Sequence, residues 1–266
     1  MKITILLFLC LSGLAFGQNE TYFSENHEFN TNDIVFLFGD KVKLRNAPST
    51  DAEVVGLLKI GSQLTILRKT DQKTSYAGIA HPWYRVDFQG REGYILGGLL
   101  ALDKIDIQNT SYLIAFKKEE NSTFLNIRLL EDGKPYQERQ ELLATTQFSL
   151  KAFDNQGLQE VKSMLHVDYL SEACGVDGGG IYIFYDGNQL IKGLDYTQIS
   201  DAGVYWYHEE FLFPNQEGGQ KGKIVYKRET GEYVDEETNW ITSTKMEREL
   251  EWKDNRLFPE LEKMEQ

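Results

Sequence analysis

The feature that most constrains this chain is a hydrophobic period of two, recurring in short runs between turn-forming residues. From Asp33 to Asp103 the runs are Val42 to Arg45, Val54 to Leu58, Gln63 to Leu67, Trp83 to Phe88 and Gly93 to Ile95, with Asn46-Ala47-Pro48, Lys59-Ile60-Gly61 and Gln89-Gly90 between them. A period of two sends alternate side chains to opposite faces of a strand, so runs this short predict a small antiparallel barrel. Closing the strands on themselves leaves few free edges, which lets a unit of about 70 residues bury a core.

The stretch from Lys104 to Gln266 is β-rich as well. Ser111 to Phe116, Thr123 to Leu129, Ile181 to Tyr185, Gly203 to Tyr207 and Lys223 to Tyr226 are β-branched or aromatic runs. Turn signals separate them at Asp132-Gly133, Asp186-Gly187, Glu217-Gly218-Gly219 and Thr230-Gly231, and Asp186-Gly187 predicts a hairpin. The tail admits two readings, a last strand over Thr242 to Glu251 or a charged helix over Lys245 to Lys253. The fold class expected is all-β, a small N-terminal barrel followed by a β-rich domain with no repeat that would make a propeller or solenoid.

Residues 1–17 carry one Lys before the apolar run Ile3 to Cys10 and end in small residues around Ala15 and Gly17. This is the pattern of a secretory signal peptide, too short for a membrane span, so the chain is expected to be exported to a periplasmic or extracellular compartment. Cys10 raises a lipoprotein reading, against which Leu9 stands where a small residue is wanted. Cleavage would leave Cys174 as the single cysteine and exclude an intramolecular disulfide. Residues 18–32 are polar, lack Lys and Arg, and are expected to be a solvated lead-in. Residues 33–103 hold nine basic and eight acidic residues, whereas 104–266 hold 18 and 30, so the acidity sits in the second unit. A formal net charge of −13 argues against a phosphate-backbone binder and hence against nucleic acid as a partner. With 41% hydrophobic residues the chain can bury a core.

The order LRNAPSTDAEVVGLLKIGSQLTIL, a loop, WYRVDFQGREGYI and a closing Leu99-Leu100 resembles the bacterial SH3-like domain over about a quarter of the chain. Two features depart from that family's pattern. Tyr94 stands where a second Trp is usual, and the loop Thr70 to Pro82 is long. The resemblance implies binding of a cell-wall peptide or another envelope ligand, commonly beside a hydrolase domain. Trp83, Tyr84 and Tyr94 are the residues that would line a shallow aromatic groove, unless one or two of them belong to the barrel core. Arg45, Pro48, Gly56, Gly61 and Gly93 take turn or strand-edge positions.

Chemistry-bearing residues in the second unit are sparse. Cys174 precedes a glycine run and a strand, where a catalytic thiolate would want a helix N-terminus and a nearby base, and His166 and His208 are the histidines of this unit. Gly178-Gly179-Gly180 reads as a tight connection, because it lacks the Lys-Ser/Thr of a phosphate loop. His166 and Asp168, two apart, would share a strand face and with Asp177 and His208 sketch a metal site without a ligand-spacing motif. No cofactor and no metal is expected. The reading reached is a non-catalytic binder of a cell-wall peptide or envelope protein, with a cell-wall hydrolase using Cys174, His166, Asp177 or His208 as the alternative.

Overall fold

The computed structural model describes residues 22–170, 178–201, 204–235 and 240–261. Among these there is no α-helix, only a 3-10 turn at Gly97–Leu99, and the strands form three antiparallel sheets. The first sheet is the expected small barrel. It contains β1 (Ile34–Phe36), β2 (Val42–Arg45), β3 (Val54–Leu58), β4 (Gln63–Tyr76), β5 (Ile79–Phe88) and β6 (Arg91–Leu96), in the order β1-β4-β5-β6-β2-β3. Its core is Leu37 together with Leu44, Leu64, Ile66, Tyr84, Val86 and Ile95, which are inward positions of the alternating runs.

The second sheet holds β7 (Asp103–Ile107), β8 (Thr110–Glu119), β9 (Ser122–Glu131) and β10 (Gln137–Leu142), and the third runs in chain order from β11 to β18. Its strands are β11 (Phe148–Asp154), β12 (Ser163–Tyr169), β13 (Gly178–Tyr185), β14 (Leu190–Asp201), β15 (Tyr205–Leu212), β16 (Ile224–Asp235), β17 (Trp240–Lys253) and β18 (Arg256–Phe258). The two sheets face each other across a core that joins Tyr112, Ile114 and Ile127 to Leu165, Val167 and Ile183. Strands β8 and β13 are covered on both faces, which explains why their sequences are continuously apolar rather than alternating. The second face of β8 gives Leu113 and Ala115 to a contact with Phe38 and Ala101 of the barrel. Arg128 clamps that junction: its guanidinium lies 4.5 Å from the Phe38 ring centroid and donates to the Phe38 carbonyl at 2.7 Å.

The third sheet curls. Phe184 on β13 and Trp252 on β17 stack edge-on at 4.8 Å although three strands lie between them, a separation of roughly 19 Å in a flat sheet. The curl wraps Met164, Phe184, Phe211, Phe213, Ile224, Leu250 and Trp252 into a further core.

Three expectations need correction, and one open alternative is resolved. The loop Thr70 to Pro82 is instead a hairpin arm: β4 runs to Tyr76, Ala77 and Gly78 turn with positive φ, and β5 starts at Ile79. Its polar, non-alternating sequence hid it, and a register shift between Lys69 and Lys73 lies at its base. Of the two readings of the tail, the last strand is the one that forms, as β17. Gly178 to Gly180 lie inside β13 rather than in a connection. The lead-in is not left to solvent along its length either. Phe23 is 4% exposed and donates its N–H to the Phe148 carbonyl at 2.9 Å, and Phe29 packs on Tyr84. The signal-peptide residues 1–17, Cys10, Cys174 and Asp177 lie outside the described residues.

A buried hydroxyl pair, Tyr112 and Ser163 at 2.7 Å, ties the two sandwich sheets together. Tyr112→Phe strands the Ser163 hydroxyl in an apolar core, so it should cost about 1 kcal/mol in urea denaturation, with Ser163→Ala restoring part of it. Equal stability of the single mutant and the wild type would show that the pair contributes nothing net.

Candidate ligand-binding surface on the barrel

Trp83 and Tyr84 are neighbours on β5 and therefore point to opposite sides of the sheet, yet both are covered, at 3% and 1% exposure. Tyr84 fills the barrel core, and its hydroxyl accepts the Phe29 N–H at 3.2 Å. Burial pushes its phenol pKa up. Trp83 donates its indole N–H to the Thr74 hydroxyl, 2.9 Å away on the hairpin arm. Tyr94 alone of the three is half-exposed, and its hydroxyl accepts from Arg68 at 3.2 Å. The three rings thus do not converge on one groove.

What gathers around Tyr94 is positive charge. Directly opposed residues of antiparallel strands share a face, and the register pairs Arg68 with Arg85, Arg85 with Tyr94 and Tyr94 with Arg45. Strands β4, β5, β6 and β2 therefore lay Arg68, Arg85, Tyr94 and Arg45 in one row on the outside of the barrel. Arg85 is paired with Glu92, Arg45 donates to the Ala52 carbonyl at 2.6 Å, and Arg68 donates to the Tyr94 phenol. Like charges opposed across strands repel, and the Glu92 carboxylate paired with Arg85 offsets part of that repulsion. Sequence reasoning named Tyr94 and gave Arg45 a strand-edge role, but it missed Arg68 and Arg85. Their outward position was legible from alternation, whereas their juxtaposition depends on the bulge at Leu67, which no periodicity announces.

The second unit places its candidates differently. His166 stacks on Tyr182 with centroids 4.2 Å apart, and its Nε2 lies 2.9 Å from the Tyr196 hydroxyl, which donates to Asp168 Oδ1 at 3.1 Å. Because the phenol proton goes to Asp168, Nε2 carries the proton that reaches Tyr196. Burial, helped by Lys151, pulls the His166 pKa down to about 4, and it drives that of Tyr196 upward. Sequence placed His166 and Asp168 on one face; Tyr196, which joins them, carried no signal. His208 is exposed on β15 opposite Gln198 and Glu229. Among the described residues no three of His, Cys, Asp and Glu gather closely enough to hold a metal ion, and no helix is long and apolar enough to cross a membrane.

Residues 40–101 match the family model of the bacterial SH3 domain. No curated protein and no solved structure matches the chain.

Proposed function

We propose that this is an exported, non-catalytic binding protein of the cell envelope, whose barrel holds a carboxylate-bearing cell-wall peptide against its outer row of arginines. The matched family supports the general role, since bacterial SH3 domains are associated with cell-wall binding. The observation that carries the finer reading is the alignment of Arg68, Arg85 and Arg45 around Tyr94. A planar guanidinium suits bidentate recognition of a carboxylate, and a phenol between two of them offers ring surface and a hydroxyl to a peptide backbone. The first unit is also the less acidic part of the chain, so an anion approaching it meets less repulsion.

Co-sedimentation with purified peptidoglycan tests the reading. The double variant Arg45→Ala/Arg68→Ala should weaken association about tenfold, equivalent to about 1.4 kcal/mol. Raising the salt concentration should weaken the wild type in the same direction. Neither arginine lies in the core, so the circular dichroism spectrum should not change. Undiminished sedimentation of the double variant would overturn the assignment of this row.

A further inference from the structure

The third sheet ends in an open edge. Strand β17 pairs with β16 along one side, but on the other side β18 covers only Glu251, Trp252 and Lys253. Among the described residues no strand pairs the outer edge from Trp240 to Leu250. A strand edge of this length is a ready template for a further strand. The opposite edge strand, β11, is bridged by Phe23.

Charge across this part of the sheet alternates in rows. Glu210 on β15 faces Lys227 on β16, which faces Glu247 on β17, and in the neighbouring row Glu229 on β16 faces Lys245 on β17, 3.0 Å away. One row therefore reaches the edge on a carboxylate and the next on an ammonium. We infer that the edge of β17 pairs antiparallel with β17 of a second copy of this chain, about a twofold axis at Met246.

The charges select that register. A continuous sheet with the same face inward in both copies opposes odd positions to odd and even to even, so the axis must pass through one residue. An axis at Lys245 opposes Lys245 to itself, one at Glu247 opposes Glu247 to itself, and one at Arg248 sets Glu247 against Glu249. An axis at Thr244 makes no ion pair. With the axis at Met246, Lys245 of each copy meets Glu247 of the other, twice, and no like charges oppose. Both charge rows then continue across the junction with alternating sign. On the inner face the half-buried Met246 meets its own copy, adding apolar contact.

Sedimentation equilibrium of the full chain tests this inference. The wild type should show a monomer–dimer equilibrium. Lys245→Glu opposes two carboxylates at both symmetric positions and should weaken the dimer about tenfold, as should Glu247→Lys. The double variant Lys245→Glu/Glu247→Lys should return to wild-type affinity, because each new charge meets its opposite across the axis. Lys253→Glu lies beyond the ladder, on the stretch that β18 covers, and should leave the equilibrium unchanged. Lys245 is 74% exposed, so its replacement should leave the fold intact, which circular dichroism would verify. A chain that stays monomeric at every concentration overturns the inference. A dimer indifferent to the single charge reversals, or one that the double variant fails to restore, overturns it equally.

Discussion

Gly179→Ala is expected to destabilise the protein by about 3 kcal/mol or more, whereas Gly133→Ala should cost about 1 kcal/mol. Both glycines have positive φ, +115° and +77°, which L side chains adopt only with strain. Their surroundings differ. At Gly133 a methyl group would meet nothing within 4 Å. At Gly179 it would stand 2.2 Å from the Tyr196 carbonyl oxygen and 2.8 Å from the Thr197 Cα, both backbone atoms of the adjacent strand β14. Backbone held in a ladder on both sides cannot step away as a side-chain tip can, and Gly179 pairs with Tyr169 on one side and Thr197 on the other. Urea denaturation of the two variants checks the contrast. Equal shifts would mean that the close approach at Gly179 relaxes without cost.

The same glycine shows why part of the fold could not be read from the sequence. A Gly-Gly-Gly run signals a connection when each residue is weighed alone, but here glycine lets β13 pass close to neighbouring carbonyls inside a sheet. A Cβ on Gly180 would likewise lie 2.4 Å from the Val167 oxygen. Strands with one covered face were legible because alternation survives in them, as in β9 with Leu125, Ile127 and Leu129 turned inward. The hairpin at Asp186-Gly187 was legible because its chemistry is local: the Asp186 carboxylate accepts the N–H groups of Asn188 and Gln189, and Gly187 takes a φ of +105°. Elements exposed on both faces left no such trace. The β4 side of the hairpin arm carries polar residues on either side, so no period marks it. For Trp83 and Tyr84 the sequence left groove and core both open. Adjacent aromatics suggest that one of them is exposed, and only the tertiary covering of both faces of β5 buries the pair.

Acid should weaken the fold through His166. Its imidazole is held neutral, with a pKa of about 4 in the folded protein because burial disfavours the cation, against an ordinary value of 6.5. Between those two values the unfolded chain binds a proton that the folded chain refuses, so stability falls as pH drops from about 6.5 to about 4 and levels off below. The full loss is about 3 kcal/mol. The groups around the ring do not cancel it. Lys151 across the strand pair acts in the same direction as burial, and Asp168 receives its hydrogen bond from Tyr196 rather than from the imidazole. Glu131 loses its contribution in a lower window. Its carboxyl, accepting from Tyr185 and Lys134, is held at about 2, so the stability tied to its charge disappears as pH falls from about 4.5 to about 2. From pH 7 to pH 5 Glu131 contributes little, and His27 and His81, whose pKa values burial also lowers, act in the same direction as His166. His166→Phe keeps a ring on Tyr182 and removes that titrating group, so its denaturation midpoint should decline less over that range than the wild type's, the remaining decline coming in part from His27 and His81. Parallel decline of the two proteins would assign the acid sensitivity elsewhere and leave His166 a packing residue only.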